Sequence, residues 1–336
     1  VTVTTDIAAD REAVLDQRYR PGLLAHCYRM MGSVHEAEDL VQETYLRAWR
    51  AAHSFEGRSS VKSWLYRIAT NACLDALGSP QRRALPSGLG QDPSDPTAEL
   101  VQRPEVPWLE PIPDRMVTGE PDAGPGDPAR VVADRETVRL AFVAALQHLP
   151  ARQRAVLLLR DVLAWRAAEV ADAVGVSTAA VNSLHQRARA TLASVHPDAE
   201  ATPPPLTGEQ RDLLDRYVSA FERYDVSAMV HLFTTDAVWE MPPFTGWYQG
   251  PEAIARLVAV NCPAERTGDM RLVATDANGQ PAFGLYMRGP DGVHRAFHVH
   301  VLDLDGDRVR HVAAFFDASL FEKFGLSPEL PAAPAA

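Results

Sequence analysis

The sequence predicts a multidomain chain, with two all-α domains followed by an α+β domain. Three observations predict it. Apolar residues recur at helical spacing over 11–80 and again over 131–195, alternating strand-like runs are confined to the last third, and two proline-rich breaks separate these zones. At 336 residues the chain is also too long for one ordinary core. The expected boundaries are a helical domain at 11–85, a linker at 86–130, a second helical domain at 131–196, an α+β domain at 206–326 and a tail at 327–336.

In the first domain Leu23, Leu24, Cys27, Met30 and Met31 form one stripe, which Gly32-Ser33 ends. Ala37, Leu40, Val41, Thr44, Tyr45 and Ala48 form a second stripe. A loop with Ser54, Gly57, Ser59 and Ser60 precedes the third, built from Val61, Trp64, Leu65, Ile68, Ala69, Ala72, Cys73 and Leu77. Ten prolines between 81 and 130 then remove amide donors and fix φ, which predicts a linker. Within it Trp108, Leu109 and Ile112 are apolar side chains in polar company, and they read as a docking peptide.

Helical periodicity returns with Val138, Phe142, Ala145, Leu146 and Leu149, then Val156, Leu157 and Leu159. The strongest local signal is WRAAEVADAVGVSTAAVNSLHQRARATL at 165–192. A short helix meets Gly175, which supplies the left-handed turn between two helices, and Ser177 is placed to cap the next one. Val181, Ala188 and Leu192 point inward there. Thr178, Asn182, Gln186, Arg187 and Arg189 are left outside, where they suit base edges and phosphates of a major groove. The pattern is a DNA-binding helix-turn-helix.

The last domain opens with an amphipathic helix (Leu213, Leu214, Tyr217, Ala220, Phe221), followed by strand-like runs at 237–241, 280–287, 295–302 and 309–316. The Asp303–Asp307 acidic stretch has its glycine too early for a calcium loop and reads as a hairpin turn.

The net charge of -11 argues against indiscriminate nucleic-acid binding. Its distribution is uneven, with +3 over 131–196 and -9 over 197–336. Only the helix-turn-helix segment has the balance expected where phosphates are met. Three scattered cysteines form no disulfide framework. The first residues lack a secretory signal, and no apolar run is long enough for a membrane span. A cytoplasmic location is expected, with no membrane partner.

Two blocks carry a family resemblance. Ala37-Glu38-Asp39-Leu40-Val41-Gln42-Glu43-Thr44, followed by Trp49 and later Trp64-Leu65 and Asn71, resembles region 2 of bacterial sigma-70-type factors. Residues 138–192, with Leu149-Pro150-Ala151-Arg152-Gln153-Arg154 ahead of the helix-turn-helix, resemble region 4. A linker stands where region 3 would be, as in the extracytoplasmic-function group. The Trp-Leu-Glu-Pro-Ile-Pro-Asp stretch and the C-terminal extension resemble the branch with a fused SnoaL-like domain, the SigG-type actinobacterial factors. One departure is His185, where the family carries an inward leucine, and a rotated or loosened recognition helix is expected there.

The resemblance implies a promoter-specific initiation factor that is no enzyme and needs no cofactor or metal. It places Asp39, Leu40, Val41, Gln42, Glu43 and Thr44 against the β′ clamp helices of core RNA polymerase. Opening the -10 element requires holding unstacked bases by aromatic, cationic and pocket contacts. The expected residues are Phe55, Arg58, Lys62, Tyr66, Arg67 and Asn71, with the loop 53–60 receiving a flipped base and Trp64 in the core. The -35 element falls to Ser177, Thr178, Asn182, Gln186, Arg187 and Arg189. The docking peptide Trp108, Leu109 and Ile112 is expected to couple the last domain to the sigma regions.

A SnoaL-like fold implies a curved sheet and helices around a conical pocket, with polyketide cyclases and ketosteroid isomerases among its relatives. A small-molecule ligand is therefore a candidate partner. Catalysis there would need a carboxylate in an apolar pocket, and Asp236, Glu240, Asp276 and Asp317 are the candidates. His298 and His300 share a strand face and with His311 could form a metal site, though hydrogen-bonded sheet histidines explain them better. A bifunctional enzyme and a polymerase-independent repressor remain the two alternatives.

Overall fold

The computed structural model describes residues 16–55, 57, 59–78, 82–118, 138–195 and 206–331. Two units emerge, residues 1–83 with 114–202 and residues 84–113 with 203–336. The two helical regions thus share one unit.

In the first unit α1 (Arg20–Met31) ends at Gly32, whose φ of 72° closes the turn. Ser33 then caps α2 (Val34–Ala51), its hydroxyl accepting the Glu36 N–H at 3.2 Å. Ser60 does the same for α3 (Val61–Ala76) through the Ser63 N–H at 3.1 Å. Leu23, Leu24, Met30, Val41 and Leu65 are fully buried among these three helices. A short α4 (Asp114–Val117) follows the excursion of 84–113 into the other unit.

α5 (Leu140–Leu146) and α6 (Ala151–Leu157) lead into a π turn at Leu158–Val162. The helix-turn-helix is α7 (Ala167–Val174) and α8 (Thr178–Val195), joined through Gly175 at φ 68°. Val156, Leu159, Val170, Ala173, Val174 and Val181 form its core. Arg154 ties α6 to the end of α1. Its buried guanidinium donates to the Met30 carbonyl, to Gln147 Oε1 at 2.7 Å and to the Leu149 carbonyl at 3.2 Å.

In the second unit α9 (Gly208–Glu222) starts at a capping box of Thr207 and Gln210 and is followed by α10 (Val226–Val230). The strands are β1 (Phe233–Glu240), β2 (Trp247–Gln249), β3 (Met270–Ala277), β4 (Gln280–Arg288), β5 (His294–Asp305) and β6 (Arg308–Phe315). They form one sheet in the order β2-β1-β6-β5-β4-β3, parallel only between β1 and β6, and the short β7 (Glu329–Leu330) pairs with β5. α11 (Pro251–Asn261) lies between β2 and β3, and α12 (Ser319–Lys323) follows β6. Gly306, at φ 56°, begins the two-residue turn from β5 to β6. The acidic stretch is a hairpin, as its early glycine implies.

Strand alternation gives the sheet two different faces. One packs Trp239, Phe283, Leu302, Val312 and Ala314 against Tyr217 and Phe221 of α9. The other carries Glu240 and His311.

The proline-rich segment expected as a linker is, over 84–113, a strap laid along the second unit. Ile112 and Asn278 exchange hydrogen bonds, with each backbone N–H donating at 3.0 Å, one to Asn278 Oδ1 and one to the Ile112 carbonyl. The Ser94 N–H donates to the Trp247 carbonyl, and the Arg103 N–H to that of Pro243. Proline excludes regular structure, yet the remaining backbone polar groups still need partners, and the sheet-side loops supply them.

Three buried histidines make stability depend on pH. His26 lies at 2.9 Å from Thr70 Oγ1, and burial, with the Arg29 charge, pulls it down to about 3. Burial likewise takes His300 down to about 3. Burial and then the His300 charge hold His298 well below its ordinary value. All three are neutral when folded, whereas the unfolded chain protonates them near pH 6.5, so stability is complete above that value and declines as the pH falls toward 3. Each contributes a slope of up to about 1.4 kcal/mol per pH unit in that window. Urea midpoints should therefore drop between pH 7.5 and 5.5, and His26→Leu should flatten the decline in the first unit. A midpoint independent of pH over that range would contradict the assignment.

Candidate functional site

Helix α2 presents its polar face as an exposed stripe. Asp39 and Gln42 lie on it, and Leu46 and Trp49 extend it with 49% and 45% of their surfaces exposed. Glu43 is half-buried and pairs with Arg47 at 2.8 Å. Leu40 is half-buried. Val41 and Thr44 differ from the expected interface set, because both are fully buried and the Thr44 hydroxyl donates to the Leu40 carbonyl at 2.7 Å. They support the helix from inside. Leu46 falls outside both the apolar stripe and the expected interface set, and its exposure places it on the polar face.

Around α3 the expected single-strand residues separate into three groups. Phe55 and Trp64 form a tilted ring pair, 5.0 Å between centroids, on the wall of a cleft of about 860 Å³. Trp64 is thus half-exposed beside Phe55, where a core position was expected. Tyr66 is buried, edge-on to His26 at 5.4 Å, with its hydroxyl so close to Gly22 that a Cβ there would collide. It is unavailable for stacking in this arrangement. Lys62 is exposed above its ring. Arg67 pairs with Asp172 of α7 at 3.0 Å, and Asn71 Nδ2 donates to the Ala173 carbonyl at 3.1 Å. Arg58 lies outside the described residues.

The helix-turn-helix is arranged as its sequence implies. Ser177 Oγ accepts the Ala180 N–H at 3.2 Å, and Ser177, Thr178, Asn182, Gln186, Arg187 and Arg189 are all exposed. α8 runs unbroken through His185, whose Nε2 lies at 2.7 Å from Asp161. The expected loosening is absent there because Asp161 gives the polar ring a partner. Arg189 also approaches Asp161, at 3.5 Å.

Comparison with known proteins decides the family. Residues 15–83 match Sigma-70 region 2, residues 139–192 match Sigma-70 region 4, and residues 214–314 match the SnoaL-like domain. The chain is 60% identical over 313 residues, 93% of its length and 83% of the relative's, to the ECF RNA polymerase sigma factor SigG of Mycobacterium tuberculosis. This chain belongs to the ECF RNA polymerase sigma factors. It is also 29% identical over 246 residues to SigJ of Mycobacterium tuberculosis, covering 71% of this chain and 69% of SigJ. The crystal structure of SigJ shares the fold, with a TM-score of 0.58 at 24% identity, covering 92% of this chain and 98% of that one. A sigma factor is a transcription initiation factor without enzymatic activity, which bears out the non-enzymatic reading.

In the SnoaL-like domain of this sigma factor, Glu240, His300 and His311 each have a hydrogen-bonding neighbour. Glu240 is buried on the face away from the aromatic core, accepting the Ser87 N–H at 2.7 Å and facing His311 Nε2 at 2.7 Å. Asp236 and Asp276 are exposed on strands, and Asp317 accepts the Ser319 N–H at 2.9 Å. None of the four candidate carboxylates lines the aromatic interior. His300 lies between Tyr217 (2.9 Å) and His298 (2.6 Å), while His311 sits on the opposite sheet face. The third ligand that a metal would need is therefore on the wrong side.

Trp108, Leu109 and Ile112 are buried within the strap unit, and the Trp108 indole N–H donates to the Arg103 carbonyl at 2.8 Å. Ile112→Ala should cost about 2–5 kcal/mol, since its side chain is fully buried. Limited proteolysis should then cut within 84–113 much sooner than in the parent. Unchanged cleavage kinetics would show that the strap is not held by this residue.

Proposed function

We propose that this sigma factor binds core polymerase through α2, reads the two promoter elements with α3 and α8, and is regulated by its SnoaL-like domain through the strap. The β′ clamp helices are the partner of the α2 stripe, where Asp39 and Gln42 supply charge and hydrogen bonds and Leu46 and Trp49 supply apolar area. Phe55, Arg58, Lys62, Arg67 and Asn71 hold single-stranded -10 DNA. Tyr66 supports them by packing. Ser177, Thr178, Asn182 and Gln186 face the -35 bases, and Arg187 and Arg189 meet phosphates. Work with the polymerase puts the protein in the cytoplasm.

One observation carries the regulatory part: the segment joining region 2 to region 4 is built into the SnoaL-like unit. Elements named -10 and -35 lie about 25 base pairs apart, on the order of 85 Å at 3.4 Å per pair. Released, a strap of 30 residues spans up to about 100 Å, and docked it contributes only the fixed separation of its ends. Docking thereby limits how far the two DNA-reading regions separate. A small molecule that binds the SnoaL-like unit shifts this balance only by binding docked and released straps unequally.

Run-off transcription with core polymerase tests the regulatory reading. Trp108→Ala should alter cognate promoter output severalfold in the full chain and much less in a truncation at residue 200. Equal changes in both would remove the coupling. The binding surfaces have separate tests. Asp39→Arg with Trp49→Ala should weaken core pull-down at least tenfold without lowering the melting temperature. Arg187→Ala and Arg189→Ala should each reduce the salt slope of DNA binding by about 1 across all sequences, whereas Asn182→Ala and Gln186→Ala should change base preference by about 1–3 kcal/mol. The reverse pattern would overturn the division between phosphate and base contacts.

A further inference from the structure

Strand β5 carries two buried histidines that neither the polymerase surface nor the DNA surfaces use. His300 Nδ1 lies at 2.9 Å from the hydroxyl of Tyr217 on α9, and His300 Nε2 lies at 2.6 Å from His298 Nε2. His298 Nδ1 ends this relay without a partner among the described residues, although His298 is only 6% exposed. The Trp239 indole N–H on β1 is buried and equally unpartnered among them, with its ring 5.1 Å from that of His300.

The placement of protons decides what these atoms require. Burial takes His300 down to about 3, and burial with the His300 charge holds His298 well below its ordinary value, so both rings are neutral. A neutral imidazole has one N–H. With the His300 proton on Nε2, it donates to His298 Nε2, the Tyr217 hydroxyl donates to His300 Nδ1, and the His298 proton is left on Nδ1. Reversing every bond strands the Tyr217 O–H in the core and leaves His298 Nδ1 bare as well. That is two unmet groups in place of one, each costly when buried. The relay therefore ends in an N–H donor at His298.

We propose that the aromatic interior of the SnoaL-like domain binds an uncharged, flat, apolar molecule through a carbonyl oxygen that accepts the His298 Nδ1–H. The Trp239 N–H, which can only donate, favours an acceptor there too. Neutral rings offer a charged ligand nothing in return for its lost hydration. Phe221, Trp239 and Phe283 suit a flat apolar body. His298 is bordered by the half-buried rings of Phe297 and Phe316, 4.8 and 4.3 Å away, so the less enclosed side of the interior is beside it. Phe316 also meets Phe244 at 5.2 Å, Phe244 forms a backbone bridge with Gln102 of the strap, and Leu100 of the strap packs on the same core. A molecule seated at His298 thus presses on rings that the strap touches, which is how it would bind docked and released straps unequally. This inference rests on the proposed regulation by a small molecule and names its chemistry.

Matched probes test it on the full chain. The ketones are acetophenone, 2-acetylnaphthalene and 9-acetylanthracene, each paired with the ethyl-substituted hydrocarbon, and 2-naphthoate is the anion. Binding is read by quenching of tryptophan fluorescence. At least one ketone should bind tenfold or more tightly than its hydrocarbon partner, and 2-naphthoate should bind more weakly than 2-acetylnaphthalene. His298→Phe, which keeps a ring and removes the donor, should bring the ketone preference within twofold, and His298→Gln, which keeps an N–H, should restore most of it. In the parent chain with 15N-labelled histidine, ring nitrogen shifts should place the His298 proton on Nδ1. A proton on Nε2, no ketone bound, or ketone and hydrocarbon bound equally would overturn the site. The regulatory reading fails separately, if the preferred ketone binds as expected yet leaves limited proteolysis within 84–113 unchanged.

Discussion

The obligation of buried backbone groups to find partners, applied to a segment too rich in proline for helix or central strand, shapes the C-terminal half of this sigma factor. Over 84–113 the amides of Ser87, Ser94, Arg103 and Ile112 reach a carboxylate, an edge-strand carbonyl, a loop carbonyl and a side-chain amide oxygen. In return the Gln91, Pro96 and Val101 carbonyls accept from Trp247 Nε1, Asn261 Nδ2 and the Thr245 N–H. These bonds are spread along the segment, so no single one holds it. Buried Leu109 and Ile112 supply the apolar anchoring, and the prolines reduce the entropy lost on docking. Glu240 shows how far this goes. A carboxylate that could have been a catalytic base instead accepts an amide of the strap and faces His311.

Much of the fold was legible because local chemistry and global arrangement agree. Ser177 caps its helix as its position implies, and Ser33 and Ser60, legible only as a helix end and a loop residue, likewise accept amides three residues on. The long strands β4, β5 and β6 lie inside the sheet and carry the β-branched and aromatic residues that made them readable. Edge strands were not read. β3 exposes every second or third side chain, and β2 is three residues long, so neither has much hydrophobic signal. The docking peptide was legible as misplaced apolar side chains at Trp108, Leu109 and Ile112. The full extent of the strap was not, because its partners lie some 150 residues away and a register at that distance leaves no trace in local spacing.

The same contrast explains the DNA-facing residues. Helix α8 packs on the rest of region 4 with one side, where Val181 and Ala188 are buried and Leu184 and His185 half-buried, so periodicity identifies the outer face. Helix α3 is covered on two sides. Leu65, Ala69, Ala72 and Cys73 are buried within region 2, while Arg67, Asn71 and Leu74 meet region 4. Periodicity detects the first face as apolar and reads the second as solvent. Tyr66 falls between them, and only the nearness of His26 and Gly22, some 40 residues earlier, shows that it is enclosed.

Magnitudes rank these two internal associations. The link between α3 and α7 consists of an exposed ion pair, one amide–carbonyl bond and a partly buried leucine. Surface pairs of that kind contribute about 0–1 kcal/mol, and both polar partners regain water when parted. Arg154 adds a buried donor on the Met30 carbonyl, which is costly to strip only if no water replaces it. The strap removes two fully buried aliphatic side chains and most of an indole from water, each worth roughly 1.5–3 kcal/mol. The α3–α7 link is therefore weaker than the strap's apolar anchor. Parting α3 from α7 needs less competing free energy than releasing the strap from the surface it covers.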